Sequence, residues 1–235
     1  MVTQPEPMDY QQNQKKVIEN IEKQVKQNSL QFSTVDPVED FDSDPRICLT
    51  SIHIPNDFLK NKIQKQIIDP LRVILPEHYY YSADSLHMTI KNIRVINNPP
   101  HFNNQDIEKA RKIFSEAIPK YSKFKVYFYR LLLFPNNLAL IGTADEELDK
   151  IVLGLDRKLR QAGVPDDKIY SNPKYFFSNM TLVRFNNPLS EEFKTKVKNL
   201  SDSLSFEPYL VDSVVLLTCN AVFKKRQTIG TWGLK

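Results

Sequence analysis

The chain has 235 residues, 41% of them hydrophobic and 26% charged. That is ordinary globular composition, long enough for one two-lobed domain or two small ones around a sizeable core. No run approaches the roughly 18 apolar residues that a membrane helix requires, and five glycines with no Gly-x-Gly-x-x-Gly argue against a dinucleotide-binding fold.

The net charge of +4 conceals an asymmetry. Residues 1–44 carry nine acidic side chains against four lysines, a balance of −5, so residues 45–235 carry +9. A basic body suits a polyanionic or phosphorylated partner through long-range attraction, and it also serves solubility. The N-terminus lacks the basic-then-apolar layout of a signal peptide. Cys48 and Cys219 stand in strand-like stretches without metal-ligand spacing, which reads as two buried free thiols. A cytoplasmic, reducing compartment is the expectation.

In chain order, residues 1–10 hold two prolines and few apolar side chains and are expected to be disordered. From Gln11 to Gln27 the spacing of Val17, Ile18, Ile21 and Val25 predicts a helix with one apolar stripe. The acidic stretch Asp36 to Asp44 has no apolar period and reads as a linker, dividing an N-terminal extension, 1–44, from a body, 45–235. Ile47 to Ile54 is strand-like, and Asp57 to Ile74 is a helix with Asn56 as its cap. A strand from Leu86 to about Ile96, a helix from Asn104 to Ile118, and a strand pair, Lys123 to Leu133 and Leu138 to Gly142, come next. Asp145 to Gln161 is helical, Ser178 to Arg184 a strand, and Ser190 to Leu200 a short helix whose capping box is incomplete. Tyr209 to Thr218 and Thr228 to Leu234 form a last strand pair joined by Lys224-Lys225-Arg226, a turn that is either a plain soluble loop or a phosphate contact. Hairpin-connected strands among helices favour an α+β class over a doubly wound sheet.

Two of these strands carry the chemistry. In Leu86-His87-Met88-Thr89-Ile90-Lys91-Asn92, period-2 alternation puts His87, Thr89 and Lys91 on one face and Met88 and Ile90 on the other. In Ser178-Asn179-Met180-Thr181-Leu182-Val183-Arg184, 92 positions later, Asn179 and Thr181 stand as His87 and Thr89 do. Taken singly, His87 is more often a structural or surface histidine, a reading that the matching Thr181 strand and the flanking basic residues reverse; Lys91 and Arg184 are individually more often solvated charges. The pair of motifs resembles the His-x-Thr/Ser signature of the 2H phosphoesterase superfamily, which includes the 2'-5' RNA ligase-like cyclic phosphodiesterases. The likeness spans residues 46–235, with Asn179 in place of the second histidine.

The resemblance implies two pseudo-symmetric lobes, each an antiparallel sheet with outer helices, facing each other across a central cleft lined by one motif strand from each. It also implies a metal-independent cyclic phosphodiesterase without a cofactor, with His87, Thr89 and Thr181 as catalytic residues and Asn179, Lys91, Arg184 and Tyr81 as substrate-binding residues. Histidine suits proton transfer near neutral pH, threonine hydroxyls can donate to phosphoryl oxygens, and a cation adds electrostatic stabilisation. Asparagine can donate a hydrogen bond but cannot trade a proton, so binding should survive its presence better than turnover. Candidates for the missing role are His53, Tyr80, Tyr81 and Tyr175. Arg184 has the opposite strand parity to Asn179, which would let it brace the cleft instead of touching a ligand. The four histidines have no zinc-ligand spacing, so no metal is expected. The expected partner is an RNA end or a cyclic nucleotide phosphate, the expected state a monomer without membrane attachment. The alternatives are a catalytically degenerate module that binds RNA ends or nucleotides, and an interaction protein whose acidic arm covers the cleft.

Overall fold

Strands rich in β-branched and aromatic residues alternate with amphipathic helices, and burial of the apolar faces draws nine strands into two antiparallel sheets among the residues described, 7–235 for the backbone and 10–235 for side chains. In this computed structural model the elements are α1 (Pro7–Lys26), β1 (Ile47–His53), α2 (Asp57–Ile63), α3 (Asp69–Arg72), β2 (Tyr79–Tyr80), β3 (Met88–Asn97), α4 (Asn104–Ala117), β4 (Phe124–Leu133), β5 (Asn137–Ala144), α5 (Glu147–Gln161), β6 (Ser178–Arg184), α6 (Glu191–Asp202), β7 (Tyr209–Val211), β8 (Ser213–Cys219) and β9 (Arg226–Gly233). One sheet runs β3-β1-β8-β9 and the other β2-β6-β5-β4-β7. The internal repeat is visible in the topology. Strand, helical segment, strand and helix occur twice, with β1 paired to β3 in one sheet and β5 to β6 in the other.

The helices form where the sequence caps them. Asn56 accepts from the Leu59 amide at 2.9 Å, Asn103 and Asp106 form a reciprocal capping box, and Ser190 accepts from the Phe193 amide at 3.2 Å. The helix after β1 continues to Arg72 through one π-type stretch, Gln64–Ile68, so the single helix read from the sequence is three contiguous segments. Apolar faces of these helices and of both sheets meet in one continuous core that includes Leu49, Ile93, Phe114, Leu140, Leu182, Phe193 and Leu216.

One strand expectation is corrected. The apolar run Tyr209 to Thr218 is two strands, because β7 pairs with β4 in one sheet and β8 pairs with β1 and β9 in the other, the chain crossing at Asp212. Continuous hydrophobicity marks both pieces as strand without saying which sheet each joins.

The N-terminal segment is laid over the body. Val17, Ile18 and Ile21 of α1 are buried against Leu132, Ala139 and Ile141. Gln14 is fully buried, donating to the Phe176 carbonyl at 2.7 Å and accepting from the Ala144 amide at 2.8 Å. Residues 7–10 belong to α1, contrary to the expected disorder; the rest of that expectation, residues 1–6, lies outside the described residues. The acidic stretch that reads as a linker is clasped by the basic turn before β9. Lys224 pairs with Asp42 at 2.5 Å, and Lys225 donates to the carbonyls of Ser43 and Asp44, while Phe41 is buried against Tyr79. The charge asymmetry of the sequence is therefore partly neutralised within the molecule.

Tyr10 donates to the carboxylate of Asp149, which also accepts from the Phe176 amide at 2.8 Å. Burial, outweighing those two hydrogen bonds, pushes the Asp149 carboxyl up to about 6 from an ordinary 3.8. The folded chain therefore binds this proton more tightly than the unfolded chain. The resulting stability is fully present below about pH 4 and is lost as pH rises through about 6. Thermal melts between pH 4 and 8 should show this loss, and Asp149→Asn should flatten it.

Candidate active site

A cavity of about 640 Å³ opens between the two sheets, with walls from β1, β3, β5 and β6, the residue 168–177 loop and the N-terminal segment. Its geometry depends on two β-bulges. In the β1–β3 ladder Thr89 faces Ile52 and Lys91 faces Ser51, so Ile90 is an extra residue. In the β5–β6 ladder Thr181 faces Ala139 and Val183 faces Leu138, so Leu182 is extra in the same way. Each bulge falls three positions after the first motif residue and reverses the parity of the residues that follow it, in β3 through Asn92, after which a second irregularity begins at Ile93.

The consequence is a correction at two positions. Lys91, read from simple alternation as a substrate-binding residue, is turned away from the cavity and is 1% exposed. Its ammonium pairs with Asp166 at 2.6 Å and Asp156 at 3.2 Å, so it is a structural ion pair. Arg184, read as having the wrong parity, is turned toward the cavity instead. The sequence reading missed Asn92, which is five positions after His87 as Arg184 is after Asn179 and lines the cavity too. Three repeat-related pairs thus converge on one space: His87 with Asn179, Thr89 with Thr181, and Asn92 with Arg184.

His87 immediately precedes β3. Its Nδ1 lies 2.7 Å from the Ser85 carbonyl oxygen, which can only accept, so Nδ1 carries the proton and the neutral ring keeps its lone pair on Nε2. The ring stacks on Phe223 at 4.3 Å between centroids. Burial pushes the imidazole down to about 4, with the charges of Arg184 and Arg226 adding to it and the Ser85 hydrogen bond opposing it. His87 is therefore neutral at pH 7. Phe223 has φ of 67°, a conformation that costs a bulky residue on the order of 1–3 kcal/mol. Asn220 holds it there: its carbonyl oxygen accepts from the Phe223 amide at 3.1 Å and its side chain from the amides of Lys224 and Lys225.

Arg184 donates through Nε to the Tyr81 hydroxyl at 3.0 Å and to the Ala221 carbonyl at 3.2 Å, and Tyr81 donates to that same carbonyl at 2.5 Å. Tyr81 lines the cavity and fixes the guanidinium. Among the described residues Arg184 has no carboxylate partner. Of the four candidates for the missing proton-transfer role, two are excluded by position. His53 lies between the Ser213 carbonyl and the Tyr209 hydroxyl, both at 2.9 Å, and Tyr80 donates to the carbonyls of Leu71 and Leu75; neither lines the cavity. Tyr81 and Tyr175 do. Cys48 and Cys219 are free thiols directly opposite each other on β1 and β8, 3.5 Å apart, at the cavity wall. Among the described residues, no group of three His, Cys, Asp or Glu side chains could hold a metal ion, and no helix is long and apolar enough to cross a membrane.

The fold is one seen before. The structure of the conserved protein ATU0111 from Agrobacterium tumefaciens str. C58 is similar at 13% identity with a TM-score of 0.55, covering 90% of this chain and 99% of that one. Escherichia coli LigT in complex with NADP+ is similar at 13% identity with a TM-score of 0.51, covering 80% of this chain and 98% of LigT. Apo LigT gives 13% identity and a TM-score of 0.50, covering 82% of this chain and 99% of LigT. The sequence matches no protein-family model and no curated protein.

Two outcomes are expected of the site. Imidazole NMR should show His87 remaining neutral from pH 8 down to pH 5, and Arg184→Met should raise its pKa. Lys91→Met should destabilise the fold by about 3–5 kcal/mol in urea denaturation, because Asp166 is left buried without its cation.

Proposed function

We propose that this chain is a 2H phosphoesterase-like protein that opens a cyclic phosphodiester at an RNA end or in a small nucleotide. The observation that carries the reading is the convergence of the two motifs, by matching bulges, on one cavity with the Nε2 lone pair of His87 unengaged. His87, neutral at pH 7, removes a proton from water as it attacks phosphorus. Thr89 and Thr181 donate to the phosphoryl oxygens, Asn179 adds an amide donor, and Arg184 offsets the charge that grows on phosphorus-bound oxygen. LigT, which has this fold, was crystallised in complex with NADP+, and that supports a nucleotide as the ligand.

One observation favours a second reading, a module that binds nucleotides or RNA ends without turnover. Asn179 cannot donate the proton a leaving oxygen needs, and loss of one acid–base role is worth roughly 10²- to 10⁴-fold, about 3–5 kcal/mol of barrier. A histidine held near 4 is also a weak base.

The test is a chelator-treated assay on an RNA bearing a 2',3'-cyclic phosphate, with wild type, His87→Ala and Asn179→His in parallel. Wild type should open the ring, and His87→Ala should be slower by at least about 100-fold. Turnover by Asn179→His alone, with wild type binding only, would establish the second reading. Affinity should fall as salt rises if the ligand is RNA.

A further inference from the structure

The loop between α5 and β6 brings to the cavity a side chain that neither motif contains. Lys168 lines it, and among the described residues its ammonium has no carboxylate within ion-pair distance and no hydrogen-bond acceptor; the Tyr170 ring, 5.4 Å away, is the feature found over it. Its neighbours are all fastened. Asp166 accepts from the Lys168 amide at 2.7 Å, from the Tyr170 hydroxyl at 2.7 Å and from the Lys91 ammonium at 2.6 Å. Asp167 accepts from the Val95 amide at 2.6 Å, and Ile169 exchanges hydrogen bonds with Ser33 at 3.0 Å in both directions. The loop is thus tied to β3 on one side and to the N-terminal segment on the other, and Lys168 lines the same cavity as His87.

We propose that Lys168 donates the proton to the leaving oxygen in the ring opening assigned above, the role Asn179 cannot fill; the inference rests on that assignment. A bond forms between the water oxygen and phosphorus while the bond from phosphorus to one ribose oxygen breaks. His87 Nε2 takes the water proton, and a Lys168 Nζ proton goes to the ribose oxygen. Solvent then removes the proton from His87 and returns one to Lys168, so no other reactant is needed. Lysine fits this role where arginine does not, because arginine holds its proton too tightly to give it up. Burial lowers the Lys168 pKa from its ordinary value, the nearby Lys91 charge adds to that, and Asp166 and Cys48 oppose it. Besides Lys168, His87 and the two cysteines, the ionisable groups lining the cavity are Asp36, Arg46, Tyr81, Tyr170, Tyr175 and Arg184. Without substrate the ammonium is an unpaired cation in a cavity, and a phosphodiester supplies the anion it lacks.

The experiment measures kcat and KM against pH on a 2',3'-cyclic mononucleotide for wild type, Lys168→Arg, Lys168→Ala and His87→Ala, with thermal melts alongside. Lys168→Arg keeps the charge without a donatable proton. It should leave KM within about threefold, reduce kcat by about 100-fold or more, and abolish the basic limb of the wild-type profile. Lys168→Ala should recover part of its rate with added primary amines and melt no lower than wild type. If Lys168→Arg keeps kcat within about threefold while His87→Ala loses turnover, the inference is overturned and the assigned reaction stands. If wild type has no turnover, both are overturned.

Discussion

The site depends on one backbone constraint used twice, an extra residue three positions after the first motif residue in each motif strand. A β-strand has a side-chain period of two, so one inserted residue moves everything after it to the opposite face. In β3 the insertion at Ile90 turns Lys91 out of the cleft and Asn92 in; in β6 the insertion at Leu182 turns Arg184 in. Both extra residues are apolar and buried in the shared core, so the cost of an unpaired backbone position is met by packing. The repeat in sequence thus becomes a repeat in local geometry, and three pairs of side chains face one space.

The same constraint supplies the ion pair that holds the opposite wall. Lys91, turned inward, is almost wholly buried between Asp166 and Asp156. Burying such a charge costs several kcal/mol unless it is paired and hydrogen-bonded. Here the pairing ties the residue 165–170 loop to β3, and Asp166 uses its remaining acceptor capacity on Tyr170 and the loop backbone. A cation removed from the cleft on β3 therefore orders the loop that brings another cation, Lys168, to the cleft.

The N-terminal segment extends this logic. Its acidic residues meet the basic turn that also carries Phe223, the ring on which His87 stacks. Asp44, buried, bonds Arg46, which lines the cavity. Ser33 and Val35 run along the cavity wall, bonded to Ile169 and Asn136. The segment is a fixed part of the site's enclosure, and the excess positive charge of the body faces it as well as any anionic ligand.

Much of this was legible in residues alone. Helix caps at Asn56 and Ser190, the paired motifs, the α+β order and the apolar stripe of α1 are local signals, carried by side-chain chemistry and periodicity within a few residues. His87, Thr89, Asn179 and Thr181 share a cavity as the repeat implied. What the sequence could not express is any property set by a neighbouring strand or a distant loop. A bulge exists only relative to the partner strand, so the exchange of Lys91 for Asn92 and the turn of Arg184 needed the ladders. The split at Asp212 needed the sheets, and Lys168 needed the clamp that Lys91, from across the fold, puts on Asp166. Sequence by itself determined which side chains could do chemistry; tertiary pairing decided which of them face the same water.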